Sequence, residues 1–226
     1  MKRIKFYRAF TSKLYRMNLL LFPLLVILGN VAVCLLHDRF LGGGEWVIYF
    51  QMNMLMVVYL LHELMTDNSL ISGLAGKRLR EFTAFLSSPR GIEVFRTGLV
   101  MDLLRKAVTL ALSLGLIACV NRVFYGRSLM GLPYALQCFC FIYGVMTLML
   151  MLSRFFQSMA VNLLLFYLAM IGVNVLGTWI GGNDHASWVR AGQSVYLILG
   201  LVVSVISCIG TVTICVRKGR NAYYDE

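Results

Sequence analysis

His62-Glu63 has the opening of an H-E-x-x-H helix, in which two histidines one turn apart hold zinc and the glutamate moves the proton. Position 66 is Thr66, so the second ligand is missing and the pair reads as a stray dipeptide. Gly73-Leu74-Ala75-Gly76-Lys77 resembles a fragment of a phosphate-binding loop, but Arg78 follows it, where that loop needs Ser or Thr to ligate magnesium. ATP, if this protein uses it, is hydrolysed by another chain. Glu63 and Asp67 share one helix face, where two carboxylates could hold a divalent ion. The local excess of arginine favours ion pairing instead. Asp102 has Arg105 and Lys106 three and four residues on, the spacing of intrahelical ion pairs. The six cysteines all fall in apolar runs without C-x-x-C spacing and read as free, buried thiols. No catalytic residue and no metal site is expected.

These residues must be positioned by elements of an unusual kind. Of the 226 residues, 59% are hydrophobic and only 14% are charged, outside the range of a soluble core with a polar surface. A helix needs about 20 apolar residues to cross a bilayer. Runs of that kind lie at Met17–Leu36, Trp46–Leu64, Leu103–Phe124, Leu132–Leu152, Met159–Ile180 and Ser194–Val216. The predicted fold class is therefore all-α, a polytopic membrane protein with six transmembrane helices in one domain over 1–226. The first run is too long for a signal peptide and lacks an A-x-A-like cleavage site.

Orientation follows from the basic residues, which stay on the cytoplasmic side. Of the 21 Lys and Arg residues, only Arg39, Arg122, Arg127 and Arg190 fall on the opposite side of these six spans. Both termini are thus expected in the cytoplasm. The formal charge of +11 sits beside the spans, where anionic lipid attracts it, so nucleic acid is not an expected partner. The spans carry no acidic residue at mid-depth, which argues against a proton- or sodium-coupled carrier.

Before the first span, residues 1–16 place Phe6, Phe10 and Leu14 on one helical face with cations mostly elsewhere, the pattern of an interfacial arm; a solvated basic tail is the alternative. The segment 65–102 is the largest polar feature. Within it Leu79, Phe82, Phe85 and Leu86 recur at helical spacing among Lys77, Arg78, Arg80 and Glu81, predicting a short amphipathic helix. Ser87-Ser88-Pro89-Arg90-Gly91 ends it, and a helix resumes from Ile92 into the third span. Asn30, Gln51, Asn53, Gln137, Asn162 and Asn174 are uncharged polar residues within spans. Asn174, Gly177 and Gly181 share a face, with a G-x-x-x-G spacing suited to helix packing within the bundle or contact with a second membrane subunit. Residues 181–193 form the longest outer loop and carry Trp188, which favours a segment dipping back toward the headgroups.

Ala84-Phe85-Leu86-Ser87-Ser88-Pro89, with Gly98 opening the next span, resembles the pattern between spans two and three of ABC-2 type permeases, the membrane subunits of ATP-driven exporters. The turn is reduced to Arg90-Gly91, and Leu99 stands where a lysine is common in that family. The resemblance implies that the short helix is a coupling helix seated on a separate ATP-binding subunit. Arg78, Leu79, Arg80, Phe82, Phe85, Leu86, Pro89 and Arg90 would contact it, Phe82 and Phe85 as the apolar anchor and the arginines as the rim. A helix resting on the bilayer without a partner is the plainer reading.

The resemblance further implies a dimer of permeases, identical or related, with two ATP-binding subunits in a bacterial plasma membrane. The chain itself would bind no cofactor, ATP and magnesium being held by the partner. Small permeases of this kind often export antimicrobial peptides, so an amphipathic or lipid-like cargo, a peptide first among them, is the expectation. The membrane component of a vitamin-type ABC importer is the alternative, although it would lack a long amphipathic stretch after span two. An integral membrane enzyme would need polar catalytic groups gathered at one depth.

Overall fold

The computed structural model of the chain describes residues 13–40, 44–75, 88–126, 131–153 and 193–221, with 161, 164, 167, 168 and 171 in addition. The described residues are helical apart from caps. In chain order the helices are α1 (Lys13–Phe40), α2 (Gly44–Ala75), α3 (Pro89–Tyr125), α4 (Leu132–Ser153) and α5 (Gln193–Asn221).

Three of them are long and apolar enough to cross a membrane: Arg90–Tyr125, Leu132–Leu152 and Leu197–Ile214. Leu21–Leu36 in α1 is a shorter apolar helix. This marks a membrane protein, and the distribution of side chains agrees. Leu21, Leu24, Leu25 and Leu28 on α1, Val100, Leu104, Val108 and Leu112 on α3, and Ile198, Val202, Val205, Ile206 and Ile209 on α5 all point outward. Asn30, Gln51, Glu63, Asp102, Lys106, Asn121, Gln137 and Thr147 are buried instead. Such an inside-out arrangement is costly in water and favourable in hydrocarbon, where outer faces meet acyl chains and polar groups must find each other.

Several boundaries differ from the sequence reading. The expected break between an arm ending at residue 16 and a span starting at 17 is absent, because α1 runs unbroken from Lys13 through Pro23 to Phe40. Leu14 thus lies in the first turn of α1, while Phe6 and Phe10 lie outside the described residues. α2 continues past Leu64 to Ala75, and α3 begins at Pro89 instead of Ile92. Ser88 is the reason for that start. In an extended conformation, φ −83° and ψ 139°, its Oγ accepts a hydrogen bond from the Gly91 N–H at 3.0 Å, and Pro89 follows in the first turn, where its missing N–H costs nothing. At the other end Gly126, with φ 65°, supplies the left-handed cap that ends α3.

The core joins four helices. Phe22 and Val26 of α1 meet Met52, Leu55, Met56, Tyr59 and Leu60 of α2, and Leu110, Leu114 and Ile117 of α3. Cys138, Ile142, Met146 and Leu150 of α4, a stripe at i+4 spacing, close the cluster. The most extensive helix contact is between α4 and α5. There a Cβ on Gly200 would stand 2.7 Å from the Cys140 carbonyl and 3.0 Å from Phe141 N, and one on Gly144 would stand 3.0 Å from Gly200 O. The two backbones touch only because neither residue has a side chain. Ser204, Ser207 and Thr211 continue the Gly200 stripe, all buried.

Candidate functional site

Two polar clusters lie inside the α1–α3 unit. The first is an ion network around one turn of α3. Arg105 reaches α2 with both guanidinium nitrogens, Nη1 to Glu63 Oε1 at 3.2 Å and Nη2 to Glu63 Oε2 at 2.6 Å. Its Nε donates to Asp102 Oδ1 at 3.1 Å, and Lys106 Nζ lies 2.7 Å from Asp102 Oδ2. Two carboxylates thus balance two cations in a nearly water-free site, with Glu63 0% and Lys106 1% exposed. A fork-to-fork Arg–carboxylate pair fixes direction as well as distance, which a lysine cannot do.

The neighbouring groups brace this turn. Tyr59 of α2 donates to the Lys106 carbonyl at 2.8 Å, and Tyr143 of α4 donates to the Leu103 carbonyl at 3.0 Å. Tyr143 also lies 3.8 Å from Cys208 Sγ of α5. His62 brings Nδ1 to 3.4 Å from Glu63 Oε1, and its ring lies 4.5 Å from that of Phe22 on α1. All five helices therefore have a side chain at or beside the network.

The second cluster is neutral. Gln51 Nε2 donates to Asn121 Oδ1 at 2.8 Å, and Asn121 Nδ2 donates back to Gln51 Oε1 at 3.0 Å. Cys34 Sγ of α1 lies 3.4 Å from Gln51 Nε2. A reciprocal amide pair satisfies one donor and one acceptor on each residue, so neither is left bare in the interior. Gln51 and Glu63 are separated by about 18 Å along α2 at the helical rise, so the clusters clamp the unit near its two ends.

Among the described residues no group of three His, Cys, Asp or Glu side chains comes together to hold a metal. Glu63 is drawn to Arg105, so the ion-pair reading of that carboxylate holds; Asp67 has no described side chain. The spacing of Asp102 with Arg105 and Lys106 also holds, and both pairs form. Unlike surface pairs, they are buried. Of the expected thiols, Cys34, Cys138 and Cys140 are buried, Cys208 is half-buried, and Cys119 instead faces outward from α3.

Of the residues assigned to a coupling helix, Arg78, Leu79, Arg80, Phe82, Phe85 and Leu86 lie outside the described residues, as do Asn174, Gly177 and Gly181. Pro89 and Arg90 belong to the first turn of α3, where Arg90 is exposed. Asn121 lies inside α3 and is fully buried, and the sequence reading gave it no partner. Its partner Gln51 lies seventy positions away, a pairing that local pattern does not carry. Gly144 and Gly200 were also passed over, since neither belongs to a G-x-x-x-G spacing. No family model, no curated protein and no solved structure matches this chain.

Proposed function

We propose that this chain is the transmembrane subunit of an ATP-driven exporter of the ABC-2 kind. In this reading it crosses the plasma membrane six times with both termini in the cytoplasm and works as a dimer of permeases, identical or related. Two separate ATP-binding subunits bind below it and hydrolyse the ATP. The cargo is amphipathic or lipid-like, with a peptide the first candidate, and the cell is bacterial.

One observation supports the reading most. α2 and α3 both extend well past the Glu63–Arg105 pair, α2 to Ala75 and α3 back to Pro89, about 18 Å and 24 Å of helix at 1.5 Å per residue. These extensions flank the basic, aromatic segment 76–87 and suit it to be carried clear of the bilayer as a docking element for a soluble partner. Closure of the ATP-binding subunits would then displace the segment and tilt the helices that bear it.

The test is co-expression with candidate ATP-binding subunits and purification in detergent. The wild type is expected to retain one such subunit, and the Phe82→Asp/Phe85→Asp variant to lose it while still inserting into membranes. A wild type that retains no ATPase, or a variant that retains as much as the wild type, ends the exporter reading.

A further inference from the structure

The ion network is closed: each carboxylate oxygen of Glu63 and Asp102 and each guanidinium nitrogen of Arg105 has a partner within 3.4 Å. That makes it a poor site for cargo or for an ion. It is also an expensive way to hold helices together, because well-packed apolar residues of the same volume are often as stable as buried ion pairs. What such a network provides beyond apolar packing is register, since an Arg–carboxylate fork tolerates neither rotation nor sliding of one helix on the other.

We infer that the turn Asp102–Lys106 is a mechanical hub, and that Glu63 and Arg105 are positioning residues that make the extensions of α2 and α3 move as one lever. Three features carry this. The bidentate pair joins α2 to α3 at the base of both extensions and sets their mutual direction there. Tyr59 bonds the backbone of the same turn from α2, one helical turn from Glu63, giving a second point of attachment and removing the freedom to pivot about the first. Asp102 holds Arg105 at Nε and Lys106 at Nζ, which fixes the guanidinium in the plane it must occupy to reach Glu63. Tyr143 then ties α4 to the same turn through the Leu103 carbonyl, so displacement of the lever reaches the α4–α5 pair. The inference rests on the exporter reading only for the source of the push; the joining of the two helices does not depend on it.

The lever can be measured without any partner. With the native cysteines replaced by serine or alanine, nitroxide labels at Ser69→Cys on α2 and Arg96→Cys on α3 report the distance between the extensions by pulsed electron resonance in lipid nanodiscs. One narrow distance peak is expected. Glu63→Gln, which keeps the shape but leaves a buried cation in excess, should lose that narrow peak, whereas Tyr143→Phe, which frees only α4, should keep it. If Glu63→Gln does not fold, Arg105→Lys replaces it; it preserves the charge balance but not the fork, and the same loss is expected. A peak that stays narrow in the glutamate or arginine variant, or one that Tyr143→Phe abolishes equally, overturns the hub. Loss of the hub and loss of the ATP-binding subunit are read by different experiments, so either can fail alone.

Discussion

The α1–α3 unit and the α4–α5 pair solve the same problem in different ways. Lipid tails are as apolar as leucine, so burial of apolar surface alone does little to drive helices together inside a bilayer. α2 and α3 are joined by polar groups that cross between them, the Glu63–Arg105 fork near one end and the Gln51–Asn121 amide pair near the other, while α1 packs on both through Phe22 and Val26 and sets Cys34 beside the amide pair. α4 and α5 are held by closeness. Gly144 and Gly200 let the backbones touch, and the hydroxyls along the seam mostly turn inward on their own helix, Ser204 to the Gly200 carbonyl and Thr211 to the Ser207 carbonyl. Cross-helix polar bonds specify one register; a smooth small-residue seam allows close approach with less directional restraint. The first unit is thus joined by directional bonds and the second by close backbone contact.

This contrast predicts a graded series of effects, readable by unfolding in mixed micelles of mild detergent and dodecyl sulfate with far-UV circular dichroism. The largest belongs to Glu63→Ala, which strands Arg105 in a buried site and should cost about 3–5 kcal/mol. Next comes Gly200→Leu. Its side chain would have to enter the α4 backbone near the Cys140 carbonyl, which cannot swing aside, so a loss of about 2–3 kcal/mol is expected together with a wider α4–α5 separation in cross-linking. Asn121→Leu should cost about 1–2 kcal/mol by leaving the Gln51 amide unpaired, whereas Gln51→Leu/Asn121→Leu should recover part of that loss because neither amide then remains. Smallest is Ser204→Ala, below about 0.5 kcal/mol, since its hydroxyl only returns to its own helix. If Ser204→Ala were as costly as Asn121→Leu, the division into a bonded frame and a plain seam would be wrong.

The sequence reading succeeded where a rule acts over one or two helical turns. Asp102 three and four residues ahead of Arg105 and Lys106 announces its ion pairs. The turn Ser87–Gly91 reads as the end of one helix with the next resuming at Ile92, whereas α3 starts at Pro89 because the Ser88 side chain caps it. The sequence reading gave no sign of the Asn121–Gln51 pairing, because the two residues lie far apart in the chain and no local spacing links them. Cys119 defeated it as well, since an apolar run says that a side chain avoids water without saying whether lipid or protein receives it.

Length, apolarity and charge placement by themselves determined that this chain is helical and suited to a membrane, because a bilayer imposes the same demand on every residue that enters it. Which faces look inward, that Glu63 meets Arg105 and Gln51 meets Asn121, and that two glycines bring α4 and α5 into contact were decided only by the tertiary structure. In a solvent that is itself apolar, hydrophobic pattern cannot distinguish a lipid-facing side from a buried one. The choice falls to pairings and close approaches between residues far apart in the chain.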